Sequence, residues 1–163
     1  MTTPTIVPAQ YNNDYRDYLK VKADRSGASR TVAGTVSVLS GTEADLFIGL
    51  VPFVKGARFT IGDKSVYCAN FGAGTTTVNL GVIYQNSGEG TDDVDAFVSL
   101  STAAQSGGFL TVDEIEGLTL VTTGNGWLAA QLKTAAADAT ASISFNLVEA
   151  YDGLGANNSN NQS

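Results

Sequence analysis

Residues 51–84 read VPFVKGARFTIGDKSVYCANFGAGTTTVNLGVIY, and this stretch decides the fold class. Thr76, Val78, Leu80, Val82 and Tyr84 alternate with Thr77, Asn79, Gly81 and Ile83. A period of two is that of a β-strand, whose side chains point to opposite faces, so one face of this run is expected in a core. Phe59 and Ile61 repeat the pattern upstream, as do Val66 and Cys68 in the run between. Lys55-Gly56, Gly62-Asp63 and Gly72-Ala73-Gly74 punctuate the runs, because glycine reaches positive φ without a Cβ clash. The stretch predicts an antiparallel β body.

Working outward toward the N-terminus, residues 46–51 are apolar on both faces, which fits either a central strand or one at an interface. Residues 40–43 make a turn, and 31–39 form the first strand, with Val32, Val36 and Val38 on one face. Toward the C-terminus, residues 85–91 (QNSGEGT) read as a loop and 92–104 as the one good helix. Thr91 can cap it, Asp92 and Asp93 suit the positive end of a helix dipole, and Val94, Phe97, Val98 and Ser101 share a face that Gly107-Gly108 ends. A short strand at 109–112 and an acidic turn at 113–117 follow. Residues 118–123 and 126–132 flank Gly124-Asn125, a hairpin signal. Residues 134–140 are alanine-rich and fit a loop or a helix, and 142–150 close the body with Ile143, Phe145 and Leu147 inward. About eight strands and one short helix make an all-β chain, with a β-sandwich or jelly-roll-like body.

The 163 residues fit one domain with appendages: an extended N-terminal arm at 1–30, the body at 31–152 and a polar tail at 153–163. One cysteine allows no intrachain disulfide. No apolar run approaches a membrane span, and residues 1–20 lack a signal-peptide pattern, so synthesis in a cytoplasm without membrane insertion is expected. Asp and Glu number 16 against nine Lys and Arg. That balance argues against a nucleic-acid partner, since phosphate contacts need a basic face. The arm is the exception, with Arg16, Lys20, Lys22, Arg25 and Arg30 against Asp14, Asp17 and Asp24. It also holds Tyr11, Tyr15 and Tyr18, whose rings with polar tips suit interfaces. Tyr11, Tyr15, Arg16, Tyr18, Lys20 and Lys22 are therefore the candidate partner-binding residues; the alternative is a loose N-terminal tail.

Chemistry has few carriers here. There is no histidine, which removes histidine-based triads and histidine-ligated metals. Cys68 lies mid-strand and reads as a small core residue. The glycine loop at 71–75 leads into a threonine-rich strand and lacks the lysine and following helix of a phosphate loop. Asp92, Asp93 and Asp95 lack EF-hand spacing, and helix capping explains them more simply. Asp113, Glu114 and Glu116 could form a glycosidase pair only if a cleft brought two of them together. Trp127, beside a hairpin turn, reads as a core or interface plug more than a sugar platform. No catalytic, cofactor or metal residue is assigned, and no enzyme activity is expected.

Four pieces occur in a telling order: VPFVKGARF, FGAGTTTVNLG, DDVDAFV and ASISFNLVEAYD. Their sequence resembles the small decoration, or cement, proteins of tailed bacteriophages over roughly residues 51–151. The resemblance implies a β-sandwich on the outside of an icosahedral shell, bound to the major capsid protein and to copies of itself, with a trimer favoured. It implies no enzymatic residues. The alternative is a carbohydrate- or receptor-binding module of a phage tail or fibre, which would show exposed aromatics in a groove.

Overall fold

The computed structural model describes residues 4–8, 29–72, 74–114 and 116–151. Its strands are β1 (Ser29–Val38), β2 (Phe47–Phe53), β3 (Ala57–Thr60), β4 (Val66–Cys68), β5 (Thr77–Tyr84), β6 (Asp93–Ser101), β7 (Gly108–Phe109), β8 (Gly126–Lys133) and β9 (Ala141–Tyr151). Two single-turn helices, α1 (Ala103–Ser106) and α2 (Glu116–Thr119), lie between β6 and β8. The strands form two antiparallel sheets, as an all-β sandwich requires. One runs β2-β8-β5-β6; the other runs β1-β9-β4-β7, with β3 beside the far half of β9. Only the β3–β4 and β5–β6 connections stay within a sheet, so nearly every loop crosses from one layer to the other.

The core is the layer between the sheets. Val78, Leu80 and Val82 of β5 stand opposite Leu132, Ala130 and Leu128 of β8, and all six are buried. Val36, Ile143, Phe145 and Leu147 answer from the other sheet. Phe53 joins the layers: its ring meets Phe59 and Tyr84 edge-on, each at 5.8 Å between centroids. Aromatic pairs in this arrangement add about 0.5–1.5 kcal/mol beyond the area they bury.

The four-stranded sheet is buried on its second face as well. Asn79, Ile83, Trp127, Ala129 and Gln131 alternate with the core residues of β5 and β8, yet all are buried. The alternation at 76–84 therefore marks a central strand with two covered faces. Part of the cover is visible at β2. Residues 4–8 run along its outer edge, with Ile6 bridged in parallel to Ile48, Thr5 N–H donating to Phe47 O (2.8 Å) and Gly49 N–H to Ile6 O (2.7 Å). Pro4 packs over Gly49, where an added Cβ would come within 2.8 Å of Pro4 Cγ and 2.7 Å of the Trp127 ring. The apolar second face of 46–51 is thus filled within the chain, and it gives no reason by itself to expect an oligomer.

Two local expectations fail. The helix at 92–104 is the strand β6. Between its pairings with β5, two residues of β5 (Leu80 to Val82) face five of β6 (Val98 to Asp93), and two (Val78 to Leu80) face three (Ser101 to Val98). Bulges insert unpaired residues and shift the phase of a strand, which makes a two-residue period look helical. The hairpin around Gly124-Asn125 is also absent: residues 118–119 end α2, and β8 pairs with β2 and β5 instead. Residues 134–140 are a loop, with Thr134 at φ 72°.

Candidate functional site

The arm candidates Tyr11, Tyr15, Arg16, Tyr18, Lys20 and Lys22 lie outside the described residues. The described portions at either end of that stretch are anchored. Residues 4–8 sit on β2, with Ile6 and Val7 against the core, and Ser29 and Arg30 open β1.

Two of the acidic candidates, Asp92 and Asp113, serve as backbone acceptors beside β6. Asp92 Oδ1 accepts the Tyr84 N–H at 2.7 Å, across the β5–β6 turn. Asp113 Oδ1 accepts the Ser99 N–H at 2.9 Å, while Asp113 N–H donates to Phe97 O at 3.1 Å, so the 113 segment covers the outer edge of β6. These bonds replace the expected helix capping. Asp93, Asp95 and Glu114 line one pocket of about 160 Å³. Among the described residues, no group of three His, Cys, Asp or Glu side chains is placed to hold a metal ion. The position of Glu116 in α2 is described, but not its side chain.

Cys68 is buried on the inward face of β4, opposite Ile143, and burial pushes its thiol up to about 12. A thiol so displaced is un-ionised at neutral pH and is not a nucleophile. Trp127 is a buried plug packed against Gly49. At the glycine loop, Gly72 has φ 81°, and its N–H donates to Asn70 Oδ1 at 2.7 Å. In the neighbouring loops, Glu89 Oε2 accepts the Asn125 N–H at 2.9 Å and Oε1 accepts Asn86 Nδ2 at 3.1 Å. These bonds, with Lys55 adding to them, hold the Glu89 carboxyl below its ordinary range. The Gly124-Asn125 signal marks this loop-to-loop tie.

The exposed aromatics decide between a platform and a contact surface. Tyr67 of β4 and Phe109 of β7 are paired neighbours on the outer face of the five-stranded sheet, 39% and 47% exposed. Their centroids are 5.2 Å apart and their planes 69°. Two rings nearly at right angles pack edge to face and form a ridge, whereas a flat stacking platform presents ring faces side by side. Around them the face carries Ser, Thr and Asn, with Arg58 and the part-exposed Val148.

The body shares its fold with a phage capsid chain. A chain from the capsid of Ralstonia phage GP4 superposes with a TM-score of 0.53 at 17% identity, covering 77% of this chain and 86% of that one. A chain of the cyanophage Pam1 capsid asymmetric unit gives a TM-score of 0.44 at 19% identity, over 76% and 85%. No protein-family model and no curated protein matches the sequence. Among the described residues, no helix is long and apolar enough to cross a membrane.

One buried constellation escaped the sequence reading. Glu149 is fully buried, with Arg30 Nε 3.0 Å from Oε2 and the Tyr151 hydroxyl donating to Oε1 at 2.8 Å. Burial first, then the Glu149 charge, raises the Tyr151 phenol above its ordinary value. The group ties the start of β1 to the end of β9, so it acts as a clasp. A signal was present: Glu149 continues the inward phase Ile143, Phe145, Leu147, and a carboxylate at a core position needs a partner.

Proposed function

We propose that this chain is a structural component of a bacteriophage virion that binds the outer surface of the capsid and stabilises it by tying capsomers together. The observation that most supports this reading is the fold shared with the GP4 capsid chain over most of both chains. It agrees with the order of sequence pieces that resembles decoration proteins. The major capsid protein is the partner, and residues 9–28 supply the contacts through Tyr11, Tyr15 and Tyr18, with Arg16, Lys20 and Lys22 at the rim. Copies of the chain associate with one another, the resemblance favouring a trimer. The protein is made in the host cytoplasm and resides on the virion exterior. It needs no cofactor and catalyses no reaction.

The mechanism is mechanical. Each copy contributes a modest contact, and linked copies convert successive binding events into intramolecular ones, which raises avidity without new contacts. A sandwich stabilised within itself suits this task, since it adds a rigid body to the shell. The rival reading, a carbohydrate-binding module, loses ground because the exposed aromatic pair is a ridge on an open sheet.

The test is co-sedimentation of the purified chain with capsids stripped of it. The full chain should bind. Tyr11→Ala, Tyr15→Ala and Tyr18→Ala together should weaken binding strongly, since buried aromatic anchors dominate interface energies. Raising salt should weaken it only modestly. Equal binding by the triple variant would remove the arm from the contact, and no binding by the full chain would refute the capsid reading.

A further inference from the structure

An edge strand presents a row of backbone groups that can pair with another chain, so folded proteins cover such edges, charge them, bulge them or keep them short. Three edges here are covered by the chain itself. Residues 4–8 run along β2, where Gly49 N–H donates to Ile6 O at 2.7 Å. The 113 segment runs along β6, with Asp113 N–H on Phe97 O at 3.1 Å. Thr122 closes β3: its N–H donates to Ala57 O at 3.0 Å, and its Oγ1 accepts the Ala57 N–H at 2.8 Å. The edge strand β7 is only two residues long. β1 is the exception. It has 10 residues, keeps register with β9 from Ser29↔Ala150 to Val38↔Ala141 without a bulge, and contains neither Lys nor Pro. Its one charged side chain, Arg30, turns to Glu149. Among the described residues, no segment runs along the side of β1 away from β9.

We infer that residues 9–28 of the same chain dock along this edge in the unbound protein, and that the contact is autoinhibitory. The first argument is where that stretch begins and ends. Residues 4–8 leave it on the outer edge of β2, and Ser29 receives it as the first residue of β1. β1 and β2 are the edge strands of their sheets and neighbour each other across the two layers. Both ends of the stretch are thus fixed on one side of the sandwich, the side that β1 borders. The Arg30–Glu149 pair pins the second end. The next argument is composition. The stretch holds Tyr11, Tyr15, Tyr18, Leu19 and Val21, whose apolar bodies gain by leaving water. Charge agrees. Arg16, Lys20, Lys22 and Arg25 against Asp14, Asp17 and Asp24 make the stretch +1 on a chain of −7, so the acidic body attracts it. The docking does not depend on the capsid reading, but the inhibitory role rests on it. There Tyr11, Tyr15 and Tyr18 are the shell anchors, and a chain that holds them on β1 binds the shell only through the fraction that has let go.

Trypsin tests the docking, because Arg16, Lys20, Lys22 and Arg25 all lie in the stretch. Cleavage there in the full native chain should be at least about a hundredfold slower than in a synthetic peptide of residues 9–28, since a docked segment is cut only when it opens. Leu19→Ser with Val21→Ser, which keeps all three tyrosines, should speed cleavage about tenfold and raise amide exchange along β1. Asn13→Ser should change neither. The same double variant should attach to stripped capsids about tenfold faster than the native chain. A native chain cut as fast as the peptide, or a double variant cut like the native chain, would overturn the docking. Protection that disappears on dilution would also overturn it, because the occupant would then be another copy. Equal attachment rates would overturn the inhibitory role alone. A native chain that binds no capsids would refute the capsid reading and that role with it, while the docking is decided by trypsin.

Discussion

Gly81 shows how one residue sets the shape of a sheet. A Cβ there would lie 2.0 Å from Asp93 O and 2.4 Å from Val94 C, so β6 can curl onto β5 only over a glycine. The contacts are backbone and cannot swing aside. Gly81→Ala should therefore cost about 3 kcal/mol or more, at the upper end of overpacking penalties, and urea unfolding reads it as a lower midpoint at unchanged slope. Cys68 makes a different kind of statement. Its thiol is raised from 9.0 to about 12 by burial, so the neutral form is favoured in the folded state. A raised value gives stability that is whole below the unfolded value and lost as the pH climbs through the folded one. Unfolding curves should thus show an alkaline loss between pH 9.0 and about 12 that is smaller in Cys68→Ala, where the raised Tyr151 phenol keeps its own share, and native Cys68 should resist bulky thiol reagents at pH 8. Rapid labelling would show that β4 opens. Glu149 belongs here too: Arg30→Ala removes the cation beside a fully buried carboxylate, and the loss should reach about 3 kcal/mol. Arg30→Ala unfolding at the native midpoint would reduce the clasp to decoration.

At the scale of elements, the sheet edges explain what was legible in the sequence and what was not. The period of two at 76–84, the inward series of β9 and the glycine turns were readable because each depends on local backbone geometry. The β6 strand was not, because its bulges are imposed by pairing with β5 and by Gly81, both distant in the chain. The Gly124-Asn125 turn misled for the same reason: its partner is Glu89, in another loop. Of the site, Asp92 was read as a helix-end residue and Asp113 as part of an acidic turn, whereas both accept backbone N–H groups beside β6. The Arg30–Glu149–Tyr151 clasp joins residues far apart in sequence, and only the misplaced charge at 149 announced it. Residues 4–8 were read as part of an arm, yet their edge bonds to β2 and the packing of Pro4 over Gly49 make them part of the sheet. Deleting residues 1–8 should uncover Trp127, shift its fluorescence to the red and lower stability by about 1–3 kcal/mol, the order expected for a few net hydrogen bonds with apolar cover. An unchanged spectrum would mean that this segment contributes nothing to the face.

The whole molecule is a two-layer body whose loops alternate between layers, with acid gathered along β6 and a face of Ser, Thr and Asn on the opposite sheet. Such a body has one sheet covered on both sides, an arrangement suited to bearing contacts. The central claim is that these contacts are with a viral shell and are repeated over it. Copy number measures that most directly. Quantitative mass spectrometry of purified virions should find the chain in proportion to the shell protein, and the same preparation treated to release it should leave shells that break at lower temperature. A chain absent from virions, or present in only the few copies of a tail or fibre component, would contradict the account.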